Sequence, residues 1–310
     1  MKNRPVVSVV IPTHNRRDKV CRLIRSVLDS DYPAGKMEII VVDGKSGDGT
    51  GDFVEKNFPQ VKLVRMEKDL HVSGSRNRGI GCSSGRYVFL IDDDNVIDRG
   101  CIGALVQTME GDPEVGEAMP LMFSYAERDR IWCSGVSRDM VTSITSLADG
   151  EVGRSRLIGT RDCPNAFMIR REAVLKAGMF DQENFPFHYE EADFGERMRR
   201  AGYAIVCDTK ARLWHDSDLA GFANARLVQS ESRAFHTARN RIVFHRKYSA
   251  WWEFVPFILV FYPLISAYYI GVIFFRSDGA PGQKAGKVRA YVRGAFSGIR
   301  FAVTGRAGKG

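Results

Sequence analysis

Four short apolar runs, separated by turn residues and by stretches of helical spacing, constrain this chain more than any other feature. They are residues 6–11 (VVSVVI), 38–43 (EIIVVD), 61–65 (VKLVR) and 87–91 (YVFLI). Runs of this length, rich in β-branched residues, read as buried strands. Between the first two, residues 18–29 carry Val20, Leu23, Ile24, Val27 and Leu28, the spacing of an amphipathic helix. The alternation predicts an α/β fold with a mostly parallel central sheet flanked by helices. Ligands of such sheets bind outside the carboxyl ends of the strands. Thr13, His14 and Asn15, then Asp43, then Asp92, Asp93 and Asp94 all fall at such ends.

The middle of the chain is less regular. Residues 165–170 read as a strand, 171–177 as a short helix closed by Gly178, 190–201 as a helix closed by Gly202, and 203–207 as a further strand. A 310-residue chain with 44% hydrophobic and 26% charged residues can pack a sizeable core. Its net charge of +8 suits an anionic partner. The basic residues are dispersed and form no recognisable nucleic-acid module, so nucleic acid is not expected as that partner. Six cysteines stand at 21, 82, 101, 133, 163 and 207, none in a Cys-x-x-Cys pair, and are expected as reduced, mostly buried thiols. The first residues lack the pattern of a signal peptide, which predicts a catalytic part facing the cytoplasm.

Composition shifts near residue 250. Residues 254–275 hold no charge in 22 positions, close to the length of a bilayer span, and Trp251 and Trp252 precede them. Pro256 and Pro263 argue against a straight, uninterrupted span. Both flanks are basic, with Arg239, Arg241, Arg246 and Lys247 before and Arg276, Lys284, Lys287 and Arg289 after. A re-entrant or interfacial hairpin on anionic lipid suits that symmetry better than a single crossing.

Three acidic clusters carry the candidate chemistry. Asp92, Asp93 and Asp94 would repel one another at a strand end unless a cation neutralised them, and oxygen ligands suit Mg2+ or Mn2+; a solvated acidic turn is the plain alternative. Asp43 opens a glycine-rich turn, DGKSGDGTGD, that fits neither the phosphate-loop nor the dinucleotide fingerprint. Glu190, Glu191 and Asp193 begin a helix, where negative charge is tolerated and where one carboxylate can serve as a general base. His215 follows Trp214 after a strand-like stretch.

At these residues the sequence resembles glycosyltransferase family 2, of inverting mechanism and GT-A fold, over about residues 6–250. VSVVIPTHNR is similar to the family's first strand and nucleotide loop, and VVDGKSGDGT to its second strand, with Gly44 where common members have Asn. SGSRNRGIGCSSGRYVFLIDDDNVID resembles the segment leading into the Asp-x-Asp motif, YEEADFGERMRRAGY the catalytic-base helix, and RLWH the strand end that supplies a metal-binding histidine in some members. The resemblance implies that Asp43 contacts the nucleobase and that Pro12, Thr13 and Asn15 line the nucleotide pocket. It implies that Arg76 lies near the diphosphate, that Asp92 and Asp93 contact the donor, and that Asp92, Asp94 and His215 hold Mn2+ or Mg2+. Glu191 would be the base, with Glu190 and Asp193 as alternatives.

The resemblance further implies transfer of one sugar from a nucleotide-sugar donor, UDP by family habit, to a polyprenyl-linked glycan at the cytoplasmic face of the cell membrane. The Gln-x-x-Arg-Trp motif of processive synthases is lacking; residues 229–233 read QSESR. The expected division is a catalytic domain at 1–248, with a nucleotide-binding half to about 115 and an acceptor half from 116, and a hydrophobic, basic membrane-associated tail at 249–310. Two rivals are a nucleotidyltransferase on a related fold, disfavoured because PTHNRR lacks the glycine-rich opening, and a non-catalytic sugar-nucleotide or glycan-binding module tethered to a membrane.

Overall fold

A computed structural model describes residues 4–149, 156–216 and 228–305. The chain divides into two compact units: Met1–Ser137, Leu147–Gln182 and Glu190–Ser217 form the first, and Arg138–Ser146, Glu183–Tyr189 and Asp218–Gly310 the second.

The first unit opens with β1 (Val7–Thr13), α1 (Arg17–Leu28), β2 (Met37–Asp43), α2 (Thr50–Asn57), β3 (Lys62–Arg65), α3 (His71–Gly81) and β4 (Tyr87–Ile91). It continues through β5 (Asn95–Ile97), α4 (Cys101–Gly111), β6 (Val115–Ser124), β7 (Ile131–Cys133), β8 (Gly135–Arg138), β9 (Thr145–Ala148) and β10 (Leu157–Gly159). It ends with β11 (Ala166–Arg170), α5 (Arg171–Ala177), α6 (Glu190–Arg200) and β12 (Ala204–His215). The main sheet runs β10-β12-β6-β11-β4-β1-β2-β3, with β5 against β12 and β7 against β6; β8 and β9 pair separately.

The β3-β2-β1-β4 half is parallel, as the strand–helix alternation predicts. The other half is not. β11 is antiparallel to β4 and β6, β12 is parallel to β6, and β10 is antiparallel to β12. The sheet is therefore mixed. Hydrophobic pattern reports that a run is buried, but the direction of its neighbour is a property of the connections.

Local chemistry explains the strand ends. β1 is buried throughout, and its last partner on β4 is Val10, so Pro12 lies where β4 asks for no further N–H. α1 buries Val20, Cys21, Leu23, Ile24 and Val27 and leaves Arg17 and Arg25 exposed. α3 lies close over β1, because a Cβ at Gly79 would collide with the Val10 side chain. All six cysteines are free and five are buried, so no disulfide framework supports the fold.

The second unit contains α7 (Glu231–Tyr248), α8 (Trp251–Pro256), a π-helical turn at Phe257–Phe261, α9 (Tyr262–Arg276) and α10 (Pro281–Thr304). Residues 231–248, grouped by sequence with the catalytic domain, pack here with the helices that follow them. Helix continues from Trp251 to Arg276 despite Pro256 and Pro263, and the π-helical turn lies between the two prolines. α10 runs parallel to α7: the glycines Gly286, Gly294 and Gly298 face Glu231, Phe235 and Arg239 in ascending order, and Arg246 donates to the Ala302 carbonyl at 3.0 Å. The apolar helix lies against this pair. Phe257 and Tyr262 pack with Ile242, Ala295 and Ala302, whereas Tyr269, Val272 and Ile273 pack with Ala234, Ala238, Ala290 and Tyr291. α7 also fastens residues 184–189: Arg239 bonds the Asn184 carbonyl, Asn240 the Phe187 and His188 carbonyls, and Arg241 the Tyr189 hydroxyl.

Candidate active site

The carboxyl ends of β1 and β2 are laced together in the first unit. Thr13 and Asp43 are register partners. The Asn15 N–H donates to Ser46 Oγ at 2.9 Å, and the Gly47 N–H donates to Asn15 Oδ1 at 2.7 Å. His14 Nδ1 stands 2.8 Å from the Gly44 carbonyl. Asn15 (φ 53°) and Lys45 (φ 68°) adopt left-handed backbone here, a conformation Asn tolerates well and Lys rarely takes. Asp43 is buried and accepts the Ser46 N–H at 2.9 Å. The sequence-predicted residues Pro12, Thr13, Asn15 and Asp43 thus gather on two adjacent strand ends.

The three aspartates after β4 point to three sets of partners. Asp92 accepts from Arg76 Nη2 at 2.9 Å. Asp93, buried, accepts the Thr13 hydroxyl at 2.7 Å and Arg16 Nη1 at 3.0 Å. Asp94 accepts from the same Arg16 nitrogen at 3.0 Å, and its other oxygen lies 3.5 Å from His215 Nε2. His215 is brought there by β12, whose last residue pairs with Asn95, and its ring meets the edge of Trp132. Burial drives the Asp93 carboxyl up to about 6 against the pull of Arg16. Burial acts on Asp94 as well, but the hydrogen bond and charge of His215, with Arg16 and Lys19, outweigh it and hold the group at about 2. Asp94 is therefore the member of the run most firmly ionised.

Arg76, expected near the diphosphate, is bonded to carboxylates. It is fully buried, and its Nη2 is shared between Asp92 Oδ1 and Glu191 Oε1, each at 2.9 Å. Nη1 lies 3.9 Å from Glu190, and the guanidinium sits over the rings of Phe167 and Phe180. Asn165 completes the bridge: its N–H donates to Glu191 Oε1 at 2.9 Å and its carbonyl accepts the Asp92 N–H at 2.9 Å. Asn165 is in the left-handed region, φ 61°, with its N–H toward the Glu191 carboxylate and its carbonyl toward the Asp92 N–H.

The same geometry separates the three acids of α6. Asp193 has a side chain 0% exposed and pairs with Arg197 at 2.9 Å. Glu190 is 9% exposed, and burial with the charge of Glu191 lifts it to about 8. Glu191 keeps 21% exposure and is raised above the ordinary carboxylate value by burial, against the opposing charge of Arg76. Of the three, Glu191 is the one that reaches both Asp92's partner and solvent.

Asp94 Oδ1 and His215 Nε2, 3.5 Å apart, could serve as two donors to a divalent cation. Among the described residues no larger group of metal-type side chains assembles; Asp92, the third expected ligand, is bonded to Arg76 as Asp94 is to Arg16. One carboxylate and one imidazole fit a Mg2+ or Mn2+ whose remaining positions are filled by phosphate oxygens and water.

Four residues of this neighbourhood have no role among those the motifs imply. Arg16 bridges Asp93 and Asp94, and Lys19 and Arg22 follow on the same face of α1, both paired with Asp216. Spacing of i, i+3 and i+6 on a helix beginning just after β1 is the pattern that exposes them. Glu117, on β6, is completely buried beside the Cys163 thiol. Burial pushes it up to about 8, from an ordinary 4.5. The folded protein therefore holds a proton that the unfolded chain releases, so this residue's contribution lowers stability as pH rises from about 4.5 to about 8. Glu117→Gln does not titrate. Its melting temperature relative to wild type is expected to improve between pH 5 and pH 8, and parallel profiles would show that Glu117 is not held protonated.

Comparison with known proteins adds the following. Residues 8–178 match the family model described as Glycosyl transferase family 2. Over 221 residues, 69% of this chain, the sequence is 26% identical to "Probable glycosyltransferase YdaM" of Bacillus subtilis; the match spans 51% of that protein, so the chain covers about half of its length. It is 31% identical over 107 residues to the GalNAc(5)-diNAcBac-PP-undecaprenol beta-1,3-glucosyltransferase of Campylobacter jejuni, covering 33% of this chain and 34% of that one. The fold is similar to mannosyltransferase PcManGT from Pyrobaculum calidifontis, solved with GDP-Man and Mn2+, with a TM-score of 0.58 at 15% identity over 96% of this chain and 88% of that chain.

Proposed function

The chain belongs to glycosyltransferase family 2, and from that premise we propose that it moves one sugar, with inversion, from a nucleotide sugar to a lipid-linked glycan at the cytoplasmic face of a membrane. The observation that carries the catalytic part is the sharing of one buried guanidinium nitrogen by Asp92 and Glu191. That bond holds a partly exposed carboxylate of raised proton affinity beside the aspartate run.

Glu191 takes the proton of the acceptor hydroxyl as the oxygen attacks the anomeric carbon opposite the leaving diphosphate. A single displacement inverts the anomeric centre. Asp43 contacts the nucleobase, with Pro12, Thr13 and Asn15 beside it, and Asp93 positions Thr13 and Arg16 for the donor. Asp94 and His215 hold a divalent cation, which when bound offsets charge on the departing diphosphate. The GDP-Man and Mn2+ of the archaeal mannosyltransferase support this donor chemistry, and the undecaprenol-linked substrate in the Campylobacter enzyme's name supports the acceptor class. UDP is the first donor nucleotide to test. Retention of Glu191 with Asp94 and His215 disfavours a non-catalytic binding module.

Incubation with UDP- and GDP-sugars and Mn2+, followed by proton NMR, tests the reaction. One donor is expected to be consumed, with the released or transferred sugar first appearing in the inverted configuration; a retained anomer rules out a single displacement. Asp94→Ala is expected to lower Mn2+-dependent donor affinity by at least the ~10-fold that loss of an outer-shell partner costs. Unchanged manganese dependence of donor binding would remove Asp94 from the metal site.

A further inference from the structure

We infer that the second unit lies in the plane of an anionic bilayer surface and that none of its helices crosses the bilayer, a reading that rests on the membrane location proposed above. Length alone permits a crossing: Trp251–Arg276 is 26 residues, or about 39 Å of helix, against a hydrocarbon core of about 30 Å. Its packing does not. One side of the segment packs on the α7–α10 pair, with Phe257 and Tyr262 near one end and Tyr269, Val272 and Ile273 near the other. α7 carries Arg239, Arg241, Arg246 and Lys247, and α10 carries Lys284, Lys287, Arg289, Arg293 and Arg300. A crossing would take these charges through hydrocarbon with it, which membranes accept only at high cost.

The surface left uncovered has the order an interface demands. On the apolar helix, Trp251 is 74%, Leu259 70% and Phe275 89% exposed. On α10, Val292, Phe296, Ile299 and Val303 recur at i, i+4, i+7 and i+11, one stripe, with Phe296 68% and Val303 81% exposed. Ala295 and Ala302, one position back around the helix, pack against the cluster that contains Phe257 and Tyr262. The stripe therefore borders the apolar helix. Beyond it on the other side run Arg289, Arg293 and Arg300, all exposed, at i, i+4 and i+11. From inside outward the face reads packed core, apolar stripe, arginine row. An in-plane helix of this kind sinks its apolar stripe among acyl chains while guanidiniums reach lipid phosphates.

Charge decides the occupant. α10 has no acidic residue, and from Phe254 to Thr304 Asp278 is the sole acid. A second copy of the chain meeting this face would bring almost nothing to answer the arginines. Anionic lipid headgroups answer them along their whole length.

The test uses the full-length protein with vesicles of phosphatidylcholine alone and of phosphatidylcholine with phosphatidylglycerol. Flotation is expected to be much stronger with the anionic vesicles and to fall with salt. Replacing the row (Arg289→Gln, Arg293→Gln and Arg300→Gln together) is expected to weaken binding to anionic vesicles by about 10²-fold, from roughly a factor of five per basic residue. The folded content, checked by circular dichroism, should stay unchanged because the three side chains are exposed. Alkaline carbonate is expected to extract the protein from host membranes. Resistance to carbonate, with vesicle binding indifferent to lipid charge, shows a crossing helix and overturns the inference while leaving the membrane location intact. Absence of binding to either vesicle, with a stable dimer in solution, overturns both.

Discussion

Glu191→Gln is expected to reduce the rate of sugar transfer by about 10²–10⁴-fold, the range that loss of a positioned general base produces. Donor affinity should stay within a few-fold of wild type, because glutamine preserves the side-chain shape and its carbonyl oxygen can still accept the Asn165 N–H. The split between turnover and binding is the informative part. A structural residue at this position would lower both together, or lower the melting temperature instead. Glu190→Gln serves as the internal control: its carboxyl is nearly closed to solvent, and burial with the charge of Glu191 favours its neutral form, so its amide should leave most of the rate. If Glu190→Gln is the inactive variant and Glu191→Gln turns over normally, the base has been assigned to the wrong member of the pair.

Arg76→Met is expected to destabilise the protein by about 3–5 kcal/mol, the cost of stripping one partner from a buried charge group. The side chain is fully buried and faces Asp92, Glu190 and Glu191, so its loss leaves these carboxylates without their buried counter-charge. For a unit of this size the melting temperature should fall by roughly 10 °C, at about 2–4 °C per kcal/mol. Adding Glu191→Gln to Arg76→Met should recover part of that loss, because the second change removes one of the charges left unpaired. Additive losses, or an Arg76→Met variant as stable as wild type, would show that the guanidinium is not the counter-ion of this cluster.

The two predictions concern residues that were legible in the sequence to different degrees. Asp92 to Asp94 and Glu190 to Asp193 stand out because acids at the end of an apolar run, or at a helix start, are local features. Residues 87–91 are a strand at the predicted bounds for the same reason, since five consecutive apolar residues end on a charge. What spacing could not choose was which acid of α6 faces solvent. That depends on the phase of the helix against Asn165 and Arg76, and these contacts span as many as 115 residues of sequence. Arg76 illustrates the limit: the resemblance implies a place near the diphosphate, and the carboxylates that its guanidinium meets, Asp92 and Glu191, become apparent only in the fold.

Strand direction was similarly hidden. Residues 203–207 mark only the start of β12, which continues to His215 across an irregularity in its pairing between Asp208 and Arg212, where polar residues interrupt the apolar pattern. The short strands β5, β7, β8 and β10 have three or four residues each and too little periodicity to register. In the second unit the apolar run was plain, yet whether it crosses a bilayer turns on its neighbours. The charges of α7 and α10 beside it are invisible to a window that reads residues 254–275 alone.

Thermal unfolding of the wild type, Asp94→Ala and Glu191→Gln with a panel of nucleotide sugars, each with and without Mn2+, tests the central claim most directly. At least one nucleotide sugar is expected to raise the wild-type melting temperature, more so with Mn2+. That manganese-dependent gain should vanish in Asp94→Ala and persist in Glu191→Gln, whose transfer activity is lost. A manganese-dependent gain that survives in Asp94→Ala, or a panel in which no nucleotide sugar stabilises the wild type, would contradict it.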